Sequence, residues 1–326
     1  MKKRYLKMQK LLVCSFYFSF LLSLFSLPVC CMYLEEKSNG KSNGHTNGVY
    51  PSKVKQTQDP KFLDLSAREA FFEEDINGFS QNKYQKIDLG NSIHPKHVLA
   101  FVAQQTNLED LNLNGRNPLL CLNSTNEQAL TKETLELFGN LQNLKTLRLA
   151  FQNIGDEEME IISTFFPSLQ LLDISNTRVT NKSLKSLNKL KNLKFLIASN
   201  NILSDEGVQG LNPSSVSQLE ELNLRGTKVS ENILEHLQSF KSLKKADFRH
   251  TAFTSQWRVK LKGPETLEEI YLSVEEKEGF NALPLKIASM PHLKIVYEPS
   301  FNLSWNPRAV LLPGNTNNIS AKDKYK

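Results

Sequence analysis

One pattern of apolar residues returns at a near-constant interval along most of this chain of 326 residues. Its clearest copy has Leu172 and Ile174 at alternate positions, which predicts a short strand with one buried side. Leu184, Leu187 and Leu190 then recur at every third position, which predicts a short helical segment. A unit of this size cannot bury its apolar side alone, so neighbouring units must stack. The copies begin at residues 84, 108, 144, 169, 193, 219, 243, 267 and 293.

The spacing between copies is regular except in one place. All the intervals are 24 to 26 residues long except the one from 108 to 144, which contains an extra segment, 117–128. Insertions into such repeats usually emerge as loops. We therefore predict one continuous solenoid over residues 84–298, with a loop at 117–128.

A polar position follows the second apolar residue of each predicted strand. A side chain there can satisfy backbone groups at the turn that leaves the strand. The position is occupied by Ser92, Arg116, Gln152, Thr177, Asn201, Thr227, Thr251 and Glu275.

This arrangement of leucines around a Thr or Asn resembles the leucine-rich repeat family. Its Thr-type units of about 24 residues are similar to the ribonuclease-inhibitor-like and cysteine-containing-like subtypes, and the resemblance covers about two-thirds of the chain. It implies an α/β fold in which a curved parallel sheet lines the concave side of a solenoid and short helices cover the convex side. The motifs are specific for that fold and say almost nothing about a partner.

The residues outside the repeats divide into four segments. Residues 1–34 open with basic residues and continue as an uncharged apolar run, which predicts a signal peptide or a membrane anchor. Residues 35–60 are rich in Gly, Asn, Ser and Lys and predict a flexible linker. Residues 61–83 predict an N-terminal capping helix; an F-box is the alternative, although the segment is too short for the three helices of an F-box. Residues 299–326 predict a C-terminal cap and a disordered tail.

The N-terminal segment also sets the expected location. If residues 1–34 are kept as an anchor, their Lys and Arg residues predict a cytoplasmic N terminus and repeats on the far side of the membrane. Lipidation at Cys30 is a lesser alternative, because Pro28 and Val29 fit a lipoprotein motif poorly. We expect a secreted or membrane-anchored protein whose repeats are extracytoplasmic.

Charge argues against a nucleic-acid partner. The net charge is +6, but five basic residues lie within the first ten positions, and without them 35 basic residues face 34 acidic ones. A nucleic-acid-binding body needs a concentrated basic face. Three of the four cysteines also lie in the N-terminal segment, so Cys121 has no disulfide partner within the repeats.

No motif for catalysis or cofactor binding is present in the sequence. His94 and His97 form the one close histidine pair, but no Cys or acidic residue stands beside them at ligand spacing, so a solvated helix start is the better interpretation. Cys121 with these histidines is a conceivable nucleophile, although a lone Cys among leucines is more often inert. Paired carboxylates could act as acid and base. The strand positions expected on the concave face include four aspartates, Asp88, Asp110, Asp173 and Asp247. We predict no enzyme activity, no metal and no cofactor.

The strand positions that alternate with the buried leucines predict a partner-binding surface. Most of them are polar, whereas Phe151, Leu171, Phe195 and Ile197 are apolar and are expected to lie side by side. A loop or the C-terminal tail lying over them is the alternative. The expected charged rim around them consists of Arg148, Asp173, Arg225, Arg249 and His250.

Three functions remain open at this stage. The first is a non-enzymatic scaffold, exported or membrane-tethered, that binds a protein on its concave face. The second is an intracellular adaptor or host-directed effector, either ubiquitin-ligase-adaptor-like or regulatory, for which residues 11–34 would be an anchor. An enzyme is a distant third.

Overall fold

The computed structural model describes residues 58–68, 76, 78–79, 83–116, 130–254, 256–274 and 290–299. All of them lie within one compact unit, Val49–Asn302. The predicted signal peptide or anchor, the linker up to residue 57, the insertion at 117–128 and the tail beyond residue 299 lie outside the described residues.

The described strands form one ten-stranded parallel sheet whose spatial order follows the chain. Each strand pairs with the next at a shift of one repeat, so that Leu172 lies opposite Leu196. The strands are β1 (Phe62–Asp64), β2 (Lys86–Asp88), β3 (Asp110–Asn112), β4 (Thr146–Arg148), β5 (Leu171–Asp173), β6 (Phe195–Ile197), β7 (Glu221–Asn223), β8 (Lys245–Phe248), β9 (Glu269–Val274) and β10 (Lys294–Pro299).

Short helices return the chain from one strand to the next. Leu184 and Leu187 are fully buried, as their spacing predicts. No helix in the described ranges is long and apolar enough to cross a membrane. The α-helices are α1 (Lys96–Ala103), α2 (Lys132–Leu137), α3 (Asp156–Phe165), α4 (Asn181–Ser186), α5 (Asp205–Gln209), α6 (Leu234–Leu237) and α7 (Trp257–Lys260), and the 3₁₀ helices are Phe138–Asn140, Leu187–Lys189 and Glu231–Ile233.

One apolar core runs between sheet and helices, from Leu63 in β1 to Leu293 just before β10. In most strands the middle residue is buried while its two neighbours face the other side of the sheet. Burying a leucine contributes about 1.5–3 kcal/mol, and each unit gains this only against its neighbours. The predicted α/β solenoid of parallel strands and short helices is confirmed.

The predicted N-terminal capping helix over residues 61–83 is wrong at its start. Phe62–Asp64 form β1, which pairs in parallel with β2. Leu63 and Leu65 are buried, in the alternation that the other strands show. The strand pattern was present in the sequence, one repeat interval before residue 86, so a further repeat unit opens the sheet. Residues 69–75, 77 and 80–82 lie outside the described residues.

The polar residues after the strands bind backbone carbonyls, as predicted. The Thr177 hydroxyl donates to the carbonyl of Ile174 in its own repeat at 2.8 Å. The longer Gln152 side chain donates to the carbonyl of Leu113 in the preceding repeat at 2.5 Å. Carbonyls at strand ends are therefore satisfied within the core. The same kind of bond is made by Ser92, Asn201, Thr227 and Thr251.

Candidate protein-binding face

The strand side chains that point away from the apolar core line the concave face, and the strand register arranges them in three rows. The first row contains Lys86, Asp110, Thr146, Leu171, Phe195, Glu221, Lys245, Glu269 and Lys294. The second row contains Asp88, Asn112, Arg148, Asp173, Ile197, Asn223, Asp247, Tyr271 and Val296. The third row, two residues further along each chain segment, contains Gly90, Asn114, Ala150, Ser175, Ser199, Arg225, Arg249, Ser273 and Glu298.

Three predicted apolar residues come together in the middle of this face. Leu171 and Phe195 lie opposite each other in the first row, and Ile197 follows in the second row of β6. All three are half-buried. We call Leu171, Phe195 and Ile197 the central cluster. The two third-row residues beside the cluster, Ser175 and Ser199, have short side chains, and Ser175 Oγ donates to Ser199 Oγ at 3.3 Å.

Phe151, the fourth predicted apolar residue, lies elsewhere. It occupies the turn after β4, where its N–H donates to the Ser175 carbonyl, in register with Asn176 and not with Leu171. The expectation that it lies beside Leu171 is wrong, because β4 ends at Arg148 and the chain turns before Phe151. Its φ of 61° is left-handed, which is rare for a bulky residue. The equivalent turns of other repeats use Asn91, Asn176, Asn200, Gly226 and His250.

The predicted rim residue on the N-terminal side of the cluster is paired within the chain. Arg148 Nη1 donates to Asp110 Oδ1 at 2.7 Å, and Lys86 Nζ lies 3.7 Å from Asp110 Oδ2. Asp110 therefore joins two cations across β2, β3 and β4, and the three charges of this group sum to +1.

The predicted rim residues on the C-terminal side are joined by a glutamate of the last strand. Arg249 Nη1 donates to Glu298 Oε2 at 3.0 Å, and Arg225 Nη2 donates to Glu298 Oε1 at 3.5 Å. Arg249 also makes bonds of 2.6 to 3.1 Å to Asp247. Burial and the neighbouring guanidinium of Arg225 lower the pKa of His250, whose Nε2 accepts from Arg225 Nη2 at 3.1 Å.

Asp173 differs from the other predicted rim residues. It lies in the second row between Arg148 and Ile197. Its Oδ1 accepts the N–H of Ser175 at 3.0 Å, and among the described residues it makes no ion pair. Burial raises the pKa of the Asp173 carboxyl, although hydrogen bonds from Ser175 and the charge of Arg148 oppose this.

The aspartates considered as acid and base pairs are not brought together. Asp110 lies in the first row, whereas Asp88, Asp173 and Asp247 lie in the second row with other strands between them. Each of these three accepts the backbone N–H two residues further on. Sequence reasoning missed this local bond, although short polar residues before a turn signal it. Asn112 and Asn223 make the same bond in the same row.

His94 and His97 are not placed as a metal pair. His94 is buried, and its Nε2 donates to the Leu89 carbonyl at 2.9 Å while its Nδ1 accepts from Gln152 Nε2 at 3.3 Å. Burial lowers the pKa of His94, so the ring is neutral, and the expected solvated helix start is wrong for this residue. In the part of the chain that the structure describes, no group of three His, Cys, Asp or Glu could hold a metal ion. Cys121 lies outside that part.

Comparison with known proteins gives structural neighbours only. No protein-family model and no curated sequence matches the chain. An internalin C2 from Listeria monocytogenes aligns with a TM-score of 0.48 at 21% identity, over 65% of this chain and 80% of its own. A second internalin from the same organism, inlF, aligns with a TM-score of 0.51 at 16% identity, over 74% of this chain and 61% of its own.

These identities are too low to indicate a shared activity or a repeat subtype. The second alignment, the ten parallel strands in chain order and the stacked Thr-type repeats agree on architecture. The chain has the fold of a leucine-rich repeat solenoid.

Proposed function

We propose that this chain is a non-enzymatic scaffold that binds a protein partner on its concave face, with the central cluster at the middle of the contact. The observation that supports this most directly is the position of Leu171, Phe195 and Ile197. They form an apolar area in the middle of two rows whose other members are polar or charged, apart from Tyr271 and Val296 toward the C-terminal end. Apolar residues at the centre of an interface, surrounded by a polar rim, carry most of the binding free energy in protein complexes.

The flanks support the same arrangement. Arg148 on one side and Arg249 on the other are held by intramolecular carboxylates, which fix the orientation of their guanidinium groups. A partner can approach such a rim without leaving an isolated charge buried. The short side chains of Ser175 and Ser199 leave room for partner atoms beside the cluster.

Location forms the second part of the proposal. Residues 1–34 have the composition of an export signal or an anchor, so we propose that the repeats are extracytoplasmic. A reporter that is active only outside the cytoplasm, fused after Lys326, tests this. Activity of the fusion agrees with the proposal, and an active cytoplasmic reporter in the same position contradicts it.

Site-specific crosslinking of the full-length chain tests the binding face. A photoreactive benzoylphenylalanine at Phe195 should capture a protein that the same group at Lys185 does not capture, because Lys185 is exposed on α4 on the opposite side. The captured protein then serves as the ligand for affinity measurements. Capture from Lys185 alone would move the contact to the helical side and overturn the proposal.

Substitution in the cluster completes the test. Phe195→Ala should weaken binding of the crosslinked partner by about 2 kcal/mol or more, as removal of a central aromatic residue does. Thr146→Ala is the matched control, because Thr146 lies opposite Leu171 in the same row. Equal affinities for wild type and Phe195→Ala would remove the central cluster from the mechanism. That result would also follow if a loop or the tail covers the cluster.

A further inference from the structure

The second row of the concave face requires a hydrogen-bond acceptor but not a charge. In most strands of this row, an Asp or Asn oxygen accepts the N–H two residues further along. Asn112 and Asn223 do so at 3.0 and 3.1 Å, which matches Asp173 at 3.0 Å. An asparagine at position 173 would therefore satisfy the fold equally well, and the negative charge there needs another explanation.

Some carboxylates on this face have cationic partners in the chain, whereas Asp88 and Glu221, like Asp173, have none among the described residues. Asp110 pairs with Arg148, Asp247 pairs with Arg249, and Glu269 pairs with Lys294. Asp173 makes no ion pair with any residue that the structure describes. Its register neighbour Arg148 directs a guanidinium nitrogen at Asp110 and not at Asp173.

On the side that faces away from Arg148, toward β6, the neighbours of Asp173 are apolar. Leu171 precedes it in the same strand, and Ile197 lies opposite it in β6. Arg148 is the charged residue that faces it from β4. Its neighbours on the side of β6 carry no charge: they are Phe195 and Ile197 in the strand and Ser199 just after it. Burial raises the pKa of this carboxyl, so ionisation costs more free energy in the folded chain than it does for an exposed Asp.

We propose that the protein partner inserts one lysine or arginine side chain next to Asp173, with apolar side chains beside it that pack on the central cluster. This inference rests on the proposed function and specifies the chemistry of the partner. A partner cation would pair directly with the carboxylate, which no described cation of the chain does, and a charge-assisted bond in a partly desolvated site is among the stronger polar contacts. Apolar neighbours on the partner would exclude water from that bond.

The first test measures stability and needs no partner. A carboxyl whose pKa is raised on folding binds more protons when folded, so its contribution to stability decreases as pH rises above its ordinary pKa of 3.8. Asp173→Asn should therefore unfold at a higher temperature than the wild type at pH 7, and the difference should vanish below about pH 3.8, where both side chains are neutral. A lower midpoint at pH 7 would show that the charge stabilises the fold, and would overturn the inference.

The second test uses a displayed library of random 12-residue peptides, selected on the full-length chain. We expect peptides with one Lys or Arg flanked by apolar residues, whose affinity falls at least tenfold on Asp173→Asn and also on Phe195→Ala. Asp88→Asn is the matched control, since Asp88 occupies the same row and makes the same backbone bond outside the cluster. It should leave the affinity unchanged.

The outcomes separate the two proposals. Peptides that depend on Phe195 but show no preference for a basic residue, or bind Asp173→Asn equally well, would overturn this inference and leave the proposed function standing. Selected peptides that depend on neither Phe195 nor Asp173 would count against both. A basic consensus that is lost with Asp173→Asn and kept with Asp88→Asn would support both.

Discussion

Asn201 and Thr177 connect two neighbouring repeats through a single amide. Asn201 Oδ1 accepts the backbone N–H of Thr177 at 2.9 Å. The Nδ2 of Asn201 donates to the carbonyls of Ile174 at 2.7 Å and Ala198 at 3.2 Å. The side chain is buried, so these groups have no water to replace it.

Removal of this amide should destabilise the solenoid. Asn201→Ala leaves buried backbone groups of two repeats without partners, so we expect the free energy of unfolding to fall by about 2–4 kcal/mol. Urea unfolding measures this. The control is Asn153→Ala, at an exposed position, which should change stability by no more than about 0.5 kcal/mol. Similar values for the two variants would contradict the role of the amide.

Adjacent residues of β6 should respond in opposite ways. Leu196 is fully buried while Phe195 faces the concave side and is half-buried. Leu196→Ala should lower the free energy of unfolding by about 2–5 kcal/mol through the cavity that it leaves. Phe195→Ala should have a clearly smaller effect on unfolding while weakening partner binding. If Phe195→Ala is the more destabilising of the two in thermal unfolding, the assigned direction of the strand's side chains is wrong.

The pair Glu269 and Tyr271 should make stability depend on pH in acid. Tyr271 Oη donates to Glu269 Oε2 at 2.7 Å, and with Lys294 it lowers the pKa of Glu269 from 4.5 to about 2. The stabilisation is therefore complete above pH 4.5 and is lost as pH falls toward 2. Tyr271→Phe removes the main cause of the shift, so its unfolding midpoint should decrease less than that of the wild type across this range. Parallel curves for both proteins would exclude the pair as a source of the dependence.

Chelation should leave the folded body unchanged. Both ring nitrogens of His94 are engaged in hydrogen bonds, and the described residues offer no cluster of three metal ligands. We therefore expect the same thermal midpoint with and without excess EDTA. A decrease that zinc reverses would reveal a structural metal, since metal binding contributes directly to folding.

Much of the fold follows from local pattern. The repeat interval, the buried strand residues such as Leu172 and the carbonyl-binding role of Thr177 were all predicted from the sequence. Each unit of a solenoid contacts only its neighbours, so one short pattern repeated in the chain specifies almost all of the core. The pattern also reaches β1, which was misassigned because a capping helix was expected at that end.

The candidate binding face was predicted only in part. Alternation within a strand shows which side chains leave the core, and this identified Leu171, Phe195 and Ile197. Alternation did not show that Phe151 lies past the end of β4. The turn after Arg148 takes Phe151 out of the strand rows, while the interval between repeats stays the same.

The sequence by itself determined the repeat, the apolar core and the side of the sheet on which each strand residue lies, because these depend on spacing along a few residues. The tertiary structure alone decided which charges are paired. Arg249 and Glu298 are 49 residues apart and Gln152 and His94 are 58 apart, yet each pair forms a hydrogen bond. Such pairs depend on the lateral register of several strands and on side-chain direction, which a local pattern does not encode. The same register places Asp173 beside an apolar cluster and opposite Arg148, whose guanidinium is bonded to Asp110 instead, so that Asp173 makes no ion pair with a described residue.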